Sequence, residues 1–283
     1  MKGLIFLIIL GPLSPPGFSQ GYKTLEEKTL NIKSPGVEGT FTVMNINGQV
    51  KVLGTERNDI RISYKLEAKP TRRGGLEQAQ EDLSFDIEYF DDSIAAVLNA
   101  PFVQYHRGGR HMNINSNHMD YWFICDIEVE VPKSLNLNLA TVNDGGVIVN
   151  NINGKVVADN VNGDVRIDGV EGIVITETVN GDIKVDFLKN PGNGSRFQTI
   201  NGNIKTDVPN DLSATIAFKS VNGEFFTDFD YMLGPSGKIV ENTSHKRGTQ
   251  YRVERLTKVT VGSGESSLFY ETLNGNMYLR KQN

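Results

Sequence analysis

Asn-Gly, a pair with strong turn preference, occurs eight times in this chain of 283 residues. Both residues tolerate a positive φ at little steric cost, so the pair favours tight turns between strands. Repeated between short β-branched segments, it predicts an all-β chain. We expect left-handed backbone at the glycines of these turns, for example at Gly163 and Gly181. The pairs begin at Asn47, Asn153, Asn162, Asn180, Asn193, Asn201, Asn222 and Asn274.

The spacing of the repeats is more informative than their number. Five consecutive nine-residue blocks begin at residue 146, with Val or Ile always second and an aliphatic residue always seventh. Because one strand must go out and another return, two blocks make one coil. The glycines Gly145, Gly163 and Gly181 are accordingly 18 residues apart, and Gly181, Gly202 and Gly223 are 21 apart. This repetition predicts a parallel β-helix, or solenoid, of 18–21-residue coils. The alternative is an antiparallel β-meander or sandwich closed by the same turns.

The first part of the chain lacks this period. Its alternating segments predict further strands, and Leu76–Leu83 places its apolar residues on one face of a single short helix. We expect residues 20–135 to form an N-terminal β-region that caps the solenoid repeats of residues 136–283, since an open sheet end exposes unpaired backbone. The long interval 223–275 predicts inserted loops.

Residues 1–19 have the features of a secretory signal peptide. Lys2 supplies a positive start, the apolar run Leu4–Leu10 is too short to span a bilayer, and the small residues Gly17 and Ser19 precede a plausible cleavage site. The sequence therefore predicts an exported protein that is periplasmic or extracellular at the cell surface, with no membrane span after cleavage.

Composition and motifs argue against several function classes. Acidic residues outnumber basic ones by 34 to 29, so a nucleic-acid partner is not expected. The chain has no zincin, nucleophile-elbow, P-loop or dinucleotide-binding motif. Its one cysteine, Cys125, alternates with Ile127 and Val129 on an apolar strand face, which indicates a buried small hydrophobe and not a nucleophile. We expect no enzyme activity, no cofactor and no metal.

Three of the four histidines fall between residues 101 and 120, together with aromatic and arginine side chains. Their spacing matches no common pattern of metal ligands. Aromatic residues beside arginines suit contact with a protein or a glycan, so this segment is a candidate contact loop. Its candidate contact residues are Tyr105, His106, Arg107, Arg110, His111 and His118.

A second candidate surface comes from the alternation within the blocks. Val157, Ile173 and Ile175 occupy positions that strand geometry turns away from the coil interior. Three stacked aliphatic side chains in water are unfavourable, so we predict a covered face at these residues. The cover is the N-terminal β-region, a C-terminal insertion or a partner chain.

In their order along the chain, these features resemble a bacterial family of adhesin-like β-strand-repeat proteins, a domain of unknown function with a more distant relation to head-domain auto-transporter adhesins. The resemblance spans nearly the whole mature chain and implies an exported β-helical protein of the cell envelope without catalytic residues. It rests on the signal peptide, the helical segment and the motifs Gly48–Gly54, Val131–Lys133, Val161–Val165 and Val179–Ile183.

The leading hypothesis is an exported, non-enzymatic β-solenoid that acts as an adhesin-like structural or binding element of a bacterial cell envelope. Its partner would be an envelope protein or a glycan, and its oligomeric state is left open. One alternative is a β-helical polysaccharide-active enzyme, because parallel β-helices often carry such sites. Another is a periplasmic accessory protein that binds a different envelope component.

Overall fold

The computed structural model describes six stretches of the chain, and the predicted signal peptide lies outside them. Within these stretches the chain forms twenty-four β-strands and one α-helix. The described residues are 21–34, 39–105, 112–114, 119–234, 237–245 and 248–282.

The first ten strands and the helix lie before residue 141. They are β1 (Lys23–Lys33), β2 (Thr40–Met44), β3 (Val50–Thr55), β4 (Asp59–Pro70), α1 (Gly75–Asp82), β5 (Ser84–Tyr89), β6 (Ser93–Asn99), β7 (Val103–Tyr105), β8 (Met112–Ile114), β9 (Tyr121–Pro132) and β10 (Asn136–Ala140).

The remaining strands follow the repeats and the C-terminal region. They are β11 (Val147–Ile152), β12 (Val156–Asp159), β13 (Val165–Val170), β14 (Val174–Asn180), β15 (Ile183–Phe187), β16 (Ser195–Asn201), β17 (Ile204–Val208), β18 (Ala214–Asn222), β19 (Phe225–Thr227), β20 (Met232–Leu233), β21 (Gly237–His245), β22 (Gly248–Val261), β23 (Ser266–Asn274) and β24 (Met277–Lys281).

Two large mixed sheets contain nearly all of these strands, and neither sheet closes on itself. The first sheet has the order β1-β4-β9-β3-β11-β13-β15-β17-β24-β19. The second has the order β20-β22-β18-β23-β16-β14-β12-β10-β2-β6-β5, while β7 and β8 pair separately. The all-β prediction with one short helix is therefore confirmed, and the two layers are compatible with the sandwich alternative.

Strands that follow one another in the repeats alternate between the two sheets. Within each sheet their neighbours pair in parallel: Val147 faces Val165, Val165 faces Ile183, and Ile183 faces Ile204. We call two such consecutive strands, one in each sheet, a rung. Antiparallel pairs occur towards the ends of the sheets. At one end β4 pairs with β1 and β9, and β5 pairs with β6. At the other end β22 pairs with β18 and β20. Neighbouring rungs therefore stack in the register that the block spacing predicts.

The core lies between the two sheets. The Phe187 ring of the first sheet lies 6.2 Å from the Phe197 ring of the second. Thr206 Oγ1 and the Tyr270 hydroxyl, again from opposite sheets, are 2.7 Å apart. Removal of these apolar surfaces from water favours the two-layered arrangement. The residues at the second position of the five blocks are all fully buried, as the block pattern predicts: Val147, Val156, Val165, Val174 and Ile183.

The rungs do not follow the order of the sequence at the C-terminal end. Strand β23 lies between β16 and β18, and β24 lies between β17 and β19. The last rung of the chain is thus inserted between two rungs that precede it. The interval 223–275 carries the hairpin of β21 and β22, whose residues Gly237 to Leu256 pair along their length. This hairpin is the predicted insertion.

An asparagine ladder connects seven successive rungs. Asn162 Nδ2 donates to Asn143 Oδ1 over 2.7 Å, and Asn180 Nδ2 donates to Asn162 Oδ1 over 2.8 Å. The series ends where Asn47 Nδ2 donates to the carbonyl of Phe123. Each carboxamide inside the ladder thereby uses a donor and an acceptor along the stack, whereas Asn222 at its end only donates. The ladder satisfies polar groups that would otherwise face each other unpaired. In spatial order the ladder contains Asn47, Asn143, Asn162, Asn180, Asn201, Asn274 and Asn222.

The glycines that follow the ladder asparagines are required for a different reason from the predicted one. Gly163 and Gly181 do not have a positive φ, so the expectation of left-handed backbone at these positions is wrong. A Cβ on Gly181 would lie 2.1 Å from the carbonyl oxygen of Gly163, and one on Gly163 would lie 2.2 Å from that of Gly145. Successive rungs approach each other so closely at this corner that only glycine fits.

Replacement of Gly181 by alanine tests this packing. The added methyl would meet the backbone of the previous rung, and the free energy of unfolding should fall by about 1–3 kcal/mol, as for overpacked sites. Gly21→Ala is the control because a Cβ there meets nothing within 4 Å. Urea denaturation measures both variants. Equal midpoints for Gly181→Ala and the parent would contradict the close approach of the rungs.

Candidate functional site

The outer face of the second sheet carries three columns of side chains, because alternate residues of each strand point away from the core. In β14 the outward-pointing residues are Ile175, Glu177 and Val179. The parallel register continues each column into the next rung, so that Glu177 faces Gln198 and Gln198 faces Glu271. The middle column, which contains Glu177, is polar. The column of Val179, nearest the asparagine ladder, is aliphatic, and we call it the outermost column; that of Ile175 is the innermost.

The polar column is held together by side-chain contacts. Lys219 Nζ lies 2.9 Å from Glu271 Oε1, and Gln198 Nε2 donates to Glu271 Oε2 over 3.0 Å. The side chains of Lys219 and Glu271 are only 18% and 30% exposed, so water screens this ion pair incompletely. Glu177, one rung beyond Gln198, is exposed. The column thus presents one exposed carboxylate beside a fixed ion pair.

The outermost column is an aliphatic row that follows the asparagine ladder along the stack. Each of its members immediately precedes a ladder asparagine, which gives them the same register from rung to rung at about 4.8 Å per step. Several are well exposed: Val161 at 36%, Ile200 at 42%, Leu273 at 40% and Val221 at 54%. Val179, between Val161 and Ile200 along the stack, is half-buried. A largely exposed aliphatic row of this kind is typical of a surface that contacts another molecule.

A shallow cavity of about 270 Å³ lies between the polar column and the aliphatic row, and we call it the outer groove. Buried threonines stand behind its backbone wall and donate to glycine carbonyls of the preceding rung: Thr178 to Gly163 over 2.9 Å and Thr199 to Gly181 over 3.0 Å. These bonds give the wall a defined position. The groove is lined by Glu177, Thr178, Gln198, Thr199, Ile200, Lys219, Val221, Glu271, Thr272 and Leu273.

The outer groove combines apolar contact area with a few directional polar groups. That combination is characteristic of recognition sites, where apolar surface supplies affinity and polar groups supply orientation. Within the part of the chain that the structure describes, no group of three or more His, Cys, Asp or Glu side chains is placed to hold a metal ion.

The outer face of the first sheet is charged, and one of its aspartates is paired on the same face. Asp168 faces Asp186, and Asp186 faces Asp207, in consecutive strands. Arg166 pairs with Asp168 at 2.5 Å, and Arg166 is itself 56% exposed. Pairs of this kind on a solvated surface contribute little to stability or recognition. We therefore place the candidate site on the second sheet.

The candidate contact loop lies mostly outside the described residues. The structure describes the backbone of Tyr105 at the end of β7. The prediction that this loop contacts a partner stays a prediction. The other five candidate residues lie outside the described part of the chain: His106, Arg107, Arg110, His111 and His118.

Two residues of the predicted covered face, Val157 and Ile175, lie in the innermost of the three columns, and Ile173 lies just before β14 begins. Val157 is 7% exposed, and it faces the half-buried Ile175 in the parallel register. Ile173 is also half-buried, and the backbone of Gly192 approaches its side chain so closely that a Cβ on Gly192 would lie 2.6 Å from Ile173 Cγ1. The segment that covers the rest of this face stays a prediction.

Cys125 is a free and fully buried cysteine. Burial, with a smaller contribution from the charge of Asp126, raises the pKa of its thiol. A protonated thiol inside the core is neither nucleophile nor metal ligand. The interpretation of Cys125 as a small buried hydrophobe is therefore confirmed.

Sequence reasoning missed the aliphatic row. Val161 and Val179 belong to the seventh column of the blocks, which the repeat pattern treats as one set of apolar residues. In the strands of the first sheet the same column is buried, as at Ile152 and Val170. The sequence did contain a signal for this row. An aliphatic residue immediately precedes the ladder asparagines, and this residue pair occurs at the same point of each rung.

No helix among the described residues is long and apolar enough to cross a bilayer; α1 itself has eight residues.

No family model matches this chain, and no curated protein matches it either. Similar solved structures include a candidate cell adhesion protein from Clostridium sporogenes, 11% identical with a TM-score of 0.38, covering 91% of this chain and 100% of that one. A candidate adhesin from Bacteroides fragilis is 10% identical with a TM-score of 0.33, covering 93% and 98%. A candidate lipid binding protein from Parabacteroides distasonis is 10% identical with a TM-score of 0.32, covering 91% and 97%. These likenesses are too distant to transfer a function.

The burial of Cys125 predicts its reactivity. In the folded protein the thiol should not react with a thiol-specific reagent, because the side chain is inaccessible and its raised pKa keeps it protonated. After unfolding in urea the chain should take up one equivalent. Absorbance of the released chromophore measures both states. Rapid reaction of the native protein would contradict the burial of Cys125.

Replacement of Ile175 by aspartate tests the covered face. Loss of a half-buried aliphatic side chain should lower the free energy of unfolding by about 1–2 kcal/mol. Val221→Asp, at a more exposed position of the same sheet face, is the control and should change it by less than about 0.5 kcal/mol. Urea denaturation gives the stability and light scattering the association state. Stability equal to that of the control would show that the face is open to water.

Proposed function

We propose that this chain is a non-enzymatic, adhesin-like binding element of a bacterial cell envelope, which contacts its partner through the outer groove. The observation that carries the proposal is the exposed aliphatic row, which runs along successive rungs beside a polar column. Burial of each aliphatic side chain against a partner would contribute up to about 1.5–3 kcal/mol. Export is supported by the signal-peptide features of residues 1–19.

The scaffold in this proposal is a two-sheet parallel β-solenoid. Its support is the parallel register between neighbouring rungs and their repeat of 18 and 21 residues. The antiparallel strands β1, β4 and β5 at one end and β22 and β20 at the other act as caps that limit edge-to-edge association. A solenoid of this kind provides a long surface with a regular spacing, which suits a binding element.

A protein partner fits the outer groove better than a glycan does. The residues that line the groove include valine, leucine and isoleucine but no aromatic ring. On the same sheet face, the ring of Phe269 packs under the guanidinium of Arg196, whose carbon lies 4.5 Å from the ring centroid. Aliphatic area pairs with apolar protein side chains, whereas the lining of the groove offers no ring face on which a sugar could stack. An envelope protein is therefore the proposed partner.

A second candidate function, a polysaccharide-active enzyme, has one observation in its favour. Glu177 and Glu271 lie on the same face two rungs apart, with Gln198 between them. Two strand spacings are about 9.6 Å, near the upper end of the carboxyl separation in inverting glycosidases, about 6.5–9.5 Å. Both oxygens of Glu271 are engaged by Lys219 and Gln198, however, and this network would have to break before Glu271 could donate a proton. The binding role is therefore preferred.

The binding role predicts that Leu273→Asp weakens attachment to isolated bacterial envelopes. A charge in the aliphatic row should reduce the affinity about tenfold, which corresponds to about 1.4 kcal/mol. Leu188→Asp is the matched control, since Leu188 is a leucine exposed at 52% that does not line the groove. Sedimentation of labelled protein with the envelopes measures the affinity, and circular dichroism checks that both variants are folded.

Attachment of Leu273→Asp at the parental affinity would contradict the proposed binding surface. Release of reducing sugars from glycans, abolished by Glu177→Gln, would instead support the enzyme.

A further inference from the structure

Asn-Gly is the sequence in which a backbone nitrogen most readily reaches the preceding side-chain carbonyl carbon, because glycine has no Cβ to obstruct the approach. Such an attack needs two things. The carboxamide of the asparagine has to be able to turn, and the backbone nitrogen of the glycine has to leave any hydrogen bond that it makes. The structure imposes different restraints on the eight pairs.

The first restraint acts on the backbone nitrogen of the glycine. In four of the six Asn-Gly pairs of the ladder, those of Gly48, Gly181, Gly202 and Gly275, this N–H donates to a carbonyl of the neighbouring rung. Gly181 donates to Asn201 over 3.0 Å, and Gly202 donates to Asn274 over 3.0 Å. Gly275 donates in the same way to Asn222 over 3.0 Å. In these pairs the attacking atom is already held by a neighbouring rung.

The second restraint acts on the carboxamide. A ladder asparagine inside the stack has a neighbour on each side. Asn180 donates to Asn162 and accepts from Asn201, both over 2.8 Å. Asn162 likewise donates to Asn143 and accepts from Asn180. Rotation of such a side chain breaks two hydrogen bonds at once.

Asn222 stands at the end of the ladder, where its carboxamide has one ladder neighbour and not two. It donates to Asn274 Oδ1 over 2.7 Å, but no further ladder residue donates to its own Oδ1 among the described residues. The N–H of Gly223 has no backbone acceptor in the described part of the chain. Both residues are exposed, so water and hydroxide have access.

The two pairs outside the ladder remain restrained. Asn193 Oδ1 accepts from Ser267 Oγ over 2.7 Å, and the N–H of Gly194 donates to the carbonyl of Ser267 over 3.0 Å. The N–H of Gly154, which follows Asn153, donates to Lys133 over 3.3 Å. Of the eight pairs, Asn222-Gly223 alone combines a carboxamide at the end of the ladder with a glycine N–H that has no described backbone acceptor.

We infer that Asn222 is a site of spontaneous intramolecular deamidation. The backbone nitrogen of Gly223 loses its proton to hydroxide and forms a bond to Cγ of Asn222. Nδ2 takes a proton from water, which restores the hydroxide, the bond from Cγ to Nδ2 breaks, and ammonia leaves, so that a five-membered succinimide remains. Water then opens this ring at either carbonyl and gives aspartate or isoaspartate. The sum of the steps is one water consumed and one ammonia released, without an oxidant or a reductant.

The test is a time course of the folded protein in mildly alkaline buffer, followed by peptide mapping with mass spectrometry. The replacement of NH₂ by OH increases the mass of the affected peptide, and isoaspartate separates from aspartate by chromatography. Deamidation at Asn222 should be about tenfold or more faster than at Asn180, a difference of about 1.4 kcal/mol in the barrier. Asn222→Gln should remove the modification from this peptide.

A urea-unfolded sample provides the matched control. Without the ladder the eight Asn-Gly pairs should react at similar rates, so the preference for Asn222 should disappear. Equal rates at Asn180 and Asn222 in the folded protein would overturn the inference. Faster reaction at another pair, or the same preference in the unfolded chain, would overturn it as well, since the selectivity would then not come from the fold.

Discussion

The close approach of successive backbones at the Asn-Gly corner is the constraint on which the rest of this structure depends. A Cβ on Gly163, Gly181 or Gly202 would lie about 2 Å from a carbonyl oxygen of the previous rung. With glycine there, the rungs stack at the spacing of a hydrogen-bonded sheet, and the asparagine beside it can donate to its counterpart one rung away. Glycine supplies the space and asparagine supplies the hydrogen bonds, so each residue of the pair has its own role.

The same corner determines the surface that we propose as a binding site. In the rungs from Asn162 to Asn222 the residue just before the ladder asparagine lies on the outer face, and the ladder aligns these residues from rung to rung. Where they are aliphatic, as at Ile200 and Leu273, the stack acquires an exposed apolar row that the core does not require. The polar column beside it is stabilised by the contacts of Glu271 with Lys219 and Gln198. Repetition thus turns a local turn motif into an extended surface.

Much of the fold could be predicted from local pattern. The blocks indicated which residues are buried, and Val147, Val165 and Ile183 are indeed in the core. The short helix and the buried Cys125 were predicted correctly as well. The backbone conformation of Gly163 and Gly181 was not, because a turn preference describes one segment in isolation. The close contacts of these glycines are with a neighbouring rung. A rule based on local sequence does not include contacts between rungs.

Sequence alone determined that this chain is built of strands, that its repeats have a period of 18 to 21 residues, and that alternate positions face a core. These properties follow from residue preferences and periodicity, which act over short distances. Tertiary structure alone decided that the last rung, β23 with β24, enters between two earlier ones. The repeated strands are chemically alike, so many parallel registers are locally equivalent. Only the joint packing of both sheets and the inserted hairpin selects one of them, and with it the position of Asn222 at the end of the ladder.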